Sequence, residues 1–452
     1  MDDEQVLDTA KVAYPSTLAL FDRPVTDLGI SDVQYIRYQP QGTPPHSGPI
    51  EFYLSGAGNL YCDWSKSYLS LRVRIVQADG TPLPATDPAE QKIPEISRCA
   101  LVNNGGHSLF DQVDVYYSGK LVSSSQTGYA YNAYFHNLLN YGVEAKEGWL
   151  RSALWYTDTP GSFGDPDPFG GTNVGNRERQ TWSEASREME VWIPILADVL
   201  KGRQLLLNGV SVRLRFTPTT TPFRIMSAAE NPAYRVDITE ATLVVCRVEC
   251  SPALQVAHQE VLQTGVRAQY RFLREDLRKY TLAAGTSSYC VDDAFNNKTP
   301  TKIILALVKS ENMLGAYNRN PFQFDHHDLS SLNVTVDNRA VPAGMLTMDY
   351  ARNHYMDAYL SLFRGTDKWL QDADNNITYE GYPGGNAVYV VCFDQDADCD
   401  LDVDEVFPPK RSNSVRLEFQ FAKPLPNSVT VLCLAFYPQA YEIDQTRALF
   451  LN

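Results

Sequence analysis

The residues with the clearest potential for chemistry are acidic side chains in the segment DQDADCDLDVDE at 394–405. Its carboxylates follow the spacing of the oxygen ligands in a calcium-binding loop, and they are Asp394, Asp396, Asp398, Asp400, Asp402 and Glu405. That loop needs glycine at its sixth position for a sharp turn, and Cys399 stands there instead. The flanking segments, VYVVCF and SVRLEF, have the pattern of strands, whereas an EF-hand is flanked by helices. The pattern therefore favours a solvated acidic loop, a looser calcium site in a β-loop stays open as the alternative, and no metal ligand is assigned.

The histidines, the carboxylate pairs and a search for short catalytic motifs give no further candidate site. His326 and His327 adjoin, and because neighbours on an extended chain point to opposite sides, a polar loop is favoured over a shared metal ion. Carboxylate pairs could serve a glycosidase, but with 54 acids in the chain such pairs are inevitable. A Walker A motif is absent, since Asp114 rather than glycine stands five positions before Gly119, and no HExxH, GxSxG or dinucleotide fingerprint occurs. The sequence predicts no catalytic residue, no cofactor and no metal site.

The eight cysteines are scattered along the chain and form no CxxC pair and no zinc-like Cys/His cluster. Most lie in apolar runs such as VVCRVEC and VLCLAF, which is typical of buried free thiols in a reducing compartment. The opening residues, MDDEQVLDTAK, are acidic and lack the apolar core of a signal peptide, and no apolar run approaches the length of a membrane span. We therefore expect eight unpaired thiols, no transmembrane segment and synthesis in the cytoplasm or nucleus.

The charge and composition of the chain point away from direct nucleic-acid binding and towards an all-β protein. The formal net charge is −15, and no run of five Lys and Arg residues occurs, so no basic stripe is available to contact phosphates. Hydrophobic residues make up 44% of the 452 residues, which is enough for sizeable cores. Tyr (26) and Phe (19) are abundant while Gly (27) and Pro (27) punctuate the whole chain, as expected for many short strands and turns.

A strand–turn–strand pattern occurs twice, roughly half a chain apart. VDVYYSGKLV at 113–122 corresponds to LNVTVDNRAV at 332–341, at an offset of 219 residues (332 − 113) and without a gap. Both turns contain residue types that tolerate the left-handed conformation, as a tight hairpin requires. The turns are Ser118-Gly119 and Asp337-Asn338. This self-similarity predicts a tandem duplication.

Each copy of the repeated pattern continues into a predicted short helix. YAYNAYFHNLL at 129–139 corresponds to YARNHYMDAYL at 350–360. Other helical content is limited to a possible turn at 195–201 and a possible helix at 253–262. The remaining chain contains about eight strand-like runs in each half, so the pattern predicts two tandem eight-stranded jelly rolls, each with a short inserted helix. The predicted units are an N-terminal arm at 1–30, a first roll at 31–250 and a second roll at 251–452.

Longer segments of the sequence resemble a known family. They read SGPIEFYLSGAGNLYCDWSKSYLSLRVRIV at 47–76, HSLFDQVDVYYSGKLVSS at 107–124, LRSALWYTDT at 150–159 and NSVRLEFQFAKPLPNSVTVLCLAFYPQAYEIDQTR at 413–447. These segments resemble the double jelly-roll major capsid protein (hexon) of adintoviruses and polinton-like elements, a family of adenovirus-type lineage with copies integrated in many animal genomes. The resemblance covers most of residues 20–450 and weakens across 157–188 and 251–300.

The resemblance implies homotrimeric capsomers in an icosahedral virion shell, with neighbouring capsomers, penton and minor capsid proteins as partners. It implies no catalytic residues. A tandem duplicate in a trimer would place six similar domains around a threefold axis, which gives a pseudo-hexagonal tile. A tandem jelly-roll carbohydrate-binding or glycan-processing protein stays open as the alternative, because fold does not fix function. An integrated copy that forms no shell is a third possibility.

Two further expectations concern surfaces. The aromatic segments YAYNAYF, LWYTDT and FLREDLRKY are expected at contacts between subunits, where Tyr and Phe are enriched. The long segment at 157–188, which contains GSFGDPDPFGGTNVGNRERQ, is expected to be an exposed loop at the capsomer surface, because backbone without periodicity needs solvent or a partner.

Overall fold

The computed structural model describes residues 29–42, 48–56, 58–85, 93–125, 128–393 and 411–451, without the side chains of 342–344. Strands dominate these residues, and several of them have the alternating pattern of a strand with one buried face. In the third strand, for example, Leu69, Leu71 and Val73 point into the core, whereas Ser70 and Arg72 alternate with them towards solvent.

The first roll consists of two four-stranded antiparallel sheets and a small two-stranded one. The first sheet has the spatial order β1 (Ile30–Tyr38), β10 (Tyr234–Cys250), β3 (Tyr61–Gln77) and β7 (Met189–Pro194). The second has the order β2 (Ile50–Leu54), β8 (Val212–Pro218), β5 (Phe110–Tyr117) and β6 (Lys120–Ser124). The small sheet pairs β4 (Cys99–Leu101) with β9 (Ile225–Ser227).

The second roll repeats this wiring. One sheet has the order β11 (Ala268–Leu282), β18 (Val429–Ile443), β13 (Lys302–Lys309) and β16 (Val388–Cys392), and β19 (Leu449–Leu451) pairs with β18. The other has the order β12 (Ser288–Val291), β17 (Val415–Phe421), β14 (Leu329–Val336) and β15 (Arg339–Thr347). Apart from β4, β9 and β19, each roll has eight strands in its two main sheets. When these eight are numbered along the chain within each roll, they occupy identical places, so the prediction of two tandem eight-stranded jelly rolls is confirmed.

The repeated hairpin occupies the same place in each roll. Tyr117 pairs with Lys120 across one turn, and Val336 pairs with Arg339 across the other. All four turn residues have positive φ: 46° and 80° at Ser118 and Gly119, 47° and 62° at Asp337 and Asn338. Two consecutive residues of this kind close a two-residue hairpin whose twist matches that of the strands. The predicted correspondence of the two turns is confirmed.

Eight α-helices connect the described strands. They are α1 (Gly105–Ser108), α2 (Tyr129–Asn140), α3 (Val143–Glu147), α4 (Val174–Ser183), α5 (Thr221–Arg224), α6 (Pro252–Gln263), α7 (Ser310–Leu314) and α8 (Met356–Arg364). The helix predicted at 253–262 is α6, which begins where the Ser251 side chain accepts a hydrogen bond from the Leu254 N–H, with Pro252 in the first turn. The turn predicted at 195–201 is the 3₁₀ segment Asp198–Leu200. In the part of the chain that the structure describes, no helix has the length and apolar character needed to cross a membrane.

The prediction of a helix at 350–360 is wrong for the first half of that range. Residues Tyr350–Arg352 form a 3₁₀ turn, Asn353 has a φ of 58°, and α8 begins only at Met356. The backbones of Asp349 and His354 bond each other reciprocally at 2.7 and 2.9 Å, which closes a tight loop before the helix. A left-handed residue ends a helix, so the matched tyrosines at 129 and 350 have different local structures.

The expectation of an exposed loop at 157–188 is also wrong in part, because α4 lies inside it. Asn173 caps this helix by accepting a hydrogen bond from the Asn176 N–H. Arg179 on α4 is 1% exposed and donates hydrogen bonds to the carbonyls of Leu101 and Tyr156. Backbone groups of the first roll therefore hold the segment, although Phe169 and other side chains of it remain exposed.

Two hydrophobic cores lie between the paired sheets, and each roll contributes to both. The core of the first roll includes side chains from the second roll, among them Tyr270, Phe272, Tyr441, Ile443 and Leu449. The core of the second roll includes side chains from the first, among them Val102, Tyr131, Tyr134, Phe135, Trp155 and Phe223. The two rolls are thus packed together through exchanged apolar side chains.

Candidate functional site

The side chains that the sequence singled out for metal chemistry do not form a site among the described residues. The acidic segment Asp394–Glu405 lies outside the described residues, so its calcium alternative stays a prediction. The His326 ring stacks on Tyr350 at 3.9 Å, and its Nδ1 accepts the Asp328 N–H at 2.9 Å. Burial lowers the pKa of both His326 and His327, which keeps them neutral at pH 7. Within the described ranges, no group of three or more His, Cys, Asp or Glu side chains is placed to hold a metal ion.

Five cysteines are buried free thiols in the cores of the two rolls: Cys62, Cys99, Cys246, Cys250 and Cys433. Burial raises the pKa of Cys62 to about 11 and that of Cys99 to about 12. Because the thiolate is the reactive form, these groups are poor nucleophiles at neutral pH. They act as small apolar side chains in the packing.

Several buried polar contacts join the two rolls among the described residues, and the first of them is between Asp198 and Glu275. Asp198 accepts hydrogen bonds from the Ser123 hydroxyl, from its neighbour's N–H at 2.7 Å and from the Glu275 N–H at 3.4 Å. The Glu275 carboxylate, on β11 of the second roll, pairs with Lys201 and accepts from Asn132 Nδ2 at 3.3 Å. Burial, and then the charge on Glu275, raises the pKa of Asp198 to about 6. This cluster fixes the position of β11 against the first roll.

The second contact is built on a buried ion pair. Arg179 Nη2 lies 2.7 Å from Asp158 Oδ1, and both side chains are at most 1% exposed. Asp158 Oδ2 accepts a hydrogen bond from Asn320 Nδ2 of the second roll at 3.2 Å, and the same amide donates to the Phe163 carbonyl at 3.0 Å. Separation of this pair would leave a buried charge without compensation, so the pair is costly to break.

The third contact is made by Lys146 on α3. Its ammonium group donates to the Leu138 carbonyl at 2.7 Å and to the Asn375 carbonyl of the second roll at 2.6 Å. Burial, with a smaller effect of the charge on Lys368, lowers the pKa of Lys146 to about 7. The three contacts together set one relative orientation of the two rolls.

The aromatic segments expected at contacts between subunits lie inside the protein instead. Tyr134 and Phe135 of YAYNAYF pack on Phe322 and Phe324 of the second roll, and Trp155 of LWYTDT is 1% exposed. In FLREDLRKY the side chains of Phe272 and Leu273 are buried. The prediction is wrong because tyrosine and phenylalanine enrichment also marks an interface within one chain, and the sequence does not distinguish the two kinds.

An exposed groove that the sequence did not reveal lies at the β7 edge of the first roll. We call it the aromatic groove, and Trp64, Tyr68, Tyr141, Trp149 and Trp192 line it. Its volume is about 500 Å³. The Tyr68 and Trp192 rings stack at 4.8 Å, and Trp149 meets Tyr141 edge-on at 5.0 Å. Trp149 is 47% and Trp192 40% exposed, which is unusual for side chains of this size.

One sequence signal for the groove was present. In MEVWIP the residues Met189, Val191 and Ile193 point inward, so Trp192 must point to the opposite face. An exposed tryptophan indicates a binding surface where other exposed apolar residues adjoin it. The other aromatic residues come from β3 and the α2–α3 region, and only the fold brings them together.

Comparisons with known proteins give distant relatives. No protein-family model matches the chain. An uncharacterized protein of Caenorhabditis elegans is 23% identical over 317 residues, which are 70% of this chain and 72% of that protein.

Solved structures give a more extensive likeness. A chain in the cryo-EM structure of the Sputnik virophage has a TM-score of 0.61 at 12% identity, covering 100% of this chain and 94% of that one. The Faustovirus major capsid protein has a TM-score of 0.58 at 10% identity, with 94% and 92% covered. The mavirus major capsid protein has a TM-score of 0.53 at 12% identity, with 100% and 97% covered. These likenesses agree with the double jelly-roll fold and give no support to the carbohydrate-binding alternative.

Proposed function

We propose that this chain is a viral major capsid protein whose trimers are pseudo-hexagonal capsomers of an icosahedral shell. The observation that carries the proposal is the full-length match of two identically wired rolls to the mavirus and Faustovirus major capsid proteins. Three buried polar contacts and two shared cores hold the rolls in one orientation, as a rigid building block requires. Three such chains around an axis present six similar edges, and hexagonal tiles pack edge to edge.

The proposed lineage is that of adintoviruses and polinton-like elements. The resemblance of the segments at 47–76, 107–124, 150–159 and 413–447 supports it, and the relative in an animal, Caenorhabditis elegans, agrees with a family that has integrated copies. The proposed partners are neighbouring capsomers, penton and minor capsid proteins, without direct sequence-specific nucleic-acid binding. The proposed location is the virion, after synthesis in a reducing compartment of the host. A shell protein of this kind needs no catalytic residue, cofactor or metal, and we assign none.

The division of the chain into an arm at 1–30, a first roll at 31–250 and a second roll at 251–452 belongs to the same proposal. It is supported by the positions of β10, which ends at Cys250, and β11, which begins at Ala268. The exposed helix α6 connects the two. Because the two cores exchange side chains, the rolls are expected to fold as a pair rather than as two independent domains.

The direct test is the mass and shape of the purified full-length protein. Light scattering at low micromolar concentration should give three times 50.7 kDa, unchanged on dilution, and negative-stain images should show particles with a hexagonal outline. Obligate contacts of this kind commonly bury more than roughly 2,000 Å². A well-folded monomer that binds a glycan tightly would contradict the proposal and favour the carbohydrate-binding alternative.

A further inference from the structure

The aromatic groove has a charge that contrasts with the rest of the chain. Lys66, Lys201 and Arg203 line it together with His136, and among the described residues that line it none is Asp or Glu. The whole chain has 54 acids against 39 bases, so a lining with three cations and no carboxylate differs from the average composition of the chain. Lys66 pairs with Asp63 and Lys201 with Glu275, whereas Arg203 is exposed and forms no ion pair with any described residue. The groove therefore fits a partner that is acidic and partly apolar.

The floor of the groove contains an unused hydrogen-bond donor. Trp64 is 94% buried, since only 6% of it is exposed, and its indole Nε1 has no acceptor among the described residues. Buried indole N–H groups normally have an acceptor, so this donor is available to an occupant of the groove. A carboxylate or a backbone carbonyl would satisfy it.

A segment of the chain itself has the matching chemistry. Residues 1–28 contain six acids and two bases, and four of the acids fall in the first eight residues. Apolar and aromatic side chains follow in the same segment, in VAYP and LALF. Acidic and aromatic side chains within one short peptide are what a groove lined by tryptophan, lysine and arginine would bind.

We propose that the aromatic groove binds residues 1–28 of a neighbouring copy of this chain. The described residues begin at Gly29, directly before β1. The strand β1 is one edge of the first sheet, and β7, where the groove lies, is the opposite edge. In the proposed ring of copies, the segment leaves its own roll at the β1 edge, away from its own groove, and extends to the groove of the next copy. This inference rests on the proposed trimeric assembly and identifies a contact within it.

The distances and the exposed edge agree with an exchange between copies. Fully extended, 28 residues reach at most about 100 Å, which is long enough to leave one copy and reach the groove of the next. The edge strand β1 exposes Ile30, Val33 and Tyr35 by 43%, 44% and 55%. An open edge of this length that exposes apolar side chains is a liability unless another chain covers it.

The experiment uses the full-length protein with the photoreactive residue p-benzoylphenylalanine in place of Trp149. The matched control carries it in place of Trp182, which is equally exposed at 48% but lies on α4 outside the groove. On irradiation the first protein should give a band at twice 50.7 kDa on a denaturing gel, with peptides from residues 1–28 attached at position 149. The control should give at least fivefold less of this product. Replacement of Asp2, Asp3 and Glu4 by their amides should lower the yield severalfold.

Each other outcome contradicts the inference in a different way. Cross-links to residues 1–28 without a change in gel mass would mean that the segment folds onto its own groove. Attachment at position 149 to any other peptide, to nucleic acid or to a glycan would identify a different occupant. Light scattering on the same sample separates the two proposals: a trimer without the predicted cross-link overturns only this inference, and a monomer overturns both.

Discussion

Tyr134 of the first roll stacks face to face on Phe322 of the second, with ring centroids 4.2 Å apart and planes inclined by only 3°. Tyr134 lies on α2, the helix inserted after the repeated hairpin, and Phe322 lies in the segment between α7 and β14. Both rings are buried, and Tyr131 contacts Phe322 edge-on at 5.6 Å. The inserted helix therefore joins the two rolls through aromatic packing, in addition to completing its own roll.

The first prediction concerns this aromatic contact. Tyr134→Ala and Phe322→Ala should each lower the free energy of unfolding by about 3–5 kcal/mol, because each removes a fully buried ring. A double-mutant cycle should show a coupling of about 0.5–1.5 kcal/mol beyond the area lost. Urea denaturation provides the measurement, with Tyr53→Ala, at a half-exposed position, as the control. Additive effects of the two substitutions would mean that the stacking is not an energetic link between the rolls.

The second prediction concerns the pH dependence of Asp198. Its pKa is raised from 3.8 to about 6, so the folded protein holds a proton over a pH range in which the unfolded chain has released it. The contribution of protonated Asp198 to the free energy of unfolding is fully present below about pH 4. This contribution, on the order of 2–3 kcal/mol, is lost as the pH rises through 6. Asp198→Asn cannot ionise, so its stability relative to the wild type should increase between pH 4 and 7.

Urea midpoints of both proteins at intervals of half a pH unit would measure this difference. Glu311→Gln is a suitable control, because the Glu311 side chain is 67% exposed and no large shift in relative stability is expected. A relative stability of Asp198→Asn that stays constant between pH 4 and 7 would show that the contact with Glu275 does not depend on the protonation of Asp198.

The repeated hairpin could be predicted from the sequence because its information is local. A turn with two positive φ values restricts the residue types, and the alternation of Val113 and Val115 with polar residues marks one face of the strand. The same holds for α6, where Ser251 and Pro252 form a standard helix start. The hairpin pattern, repeated half a chain apart, and about eight strand-like runs in each half together predicted the architecture.

Features that depend on contacts distant in sequence could not be predicted. Asn320 and Asp158 are 162 positions apart, and neither residue is unusual in its local sequence. Whether a tyrosine such as Tyr134 faces the other roll or another subunit depends on the packing of whole sheets. The aromatic groove is a further example, since α2, β3 and β7 each contribute a part of it.

The third prediction concerns thiol reactivity. Among the seven described cysteines of the native protein, Cys290, which is exposed and accepts a hydrogen bond from Arg416 Nε at 3.0 Å, should be alkylated first. Cys99 and Cys433 should stay protected, because burial excludes the reagent and raises the pKa of both thiols. In denaturant without reductant, mass spectrometry should find all eight cysteines labelled. A deficit of two hydrogens per pair of unlabelled cysteines would reveal disulfides and contradict synthesis in a reducing compartment.

The last prediction concerns the connection between the rolls. A protease recognition site inserted after Gly265 lies in the exposed turn between α6 and β11. Because Tyr441 and Ile443 complete the first core and Tyr134 the second, the two fragments should stay together in gel filtration after cleavage. They should separate only in denaturant, in a single transition.

Phe322→Ala provides the matched comparison for this experiment, since it weakens the contact between the rolls without changing the cleaved turn. Its cleaved fragments should separate at a lower urea concentration than those of the cleaved parent. The corresponding loss in free energy should equal the loss that the substitution causes in the intact chain. Fragments of the cleaved parent that separate spontaneously on dilution and remain folded would show that each roll is an independent domain. In that case the shared cores would not account for the rigidity that the proposed capsomer requires.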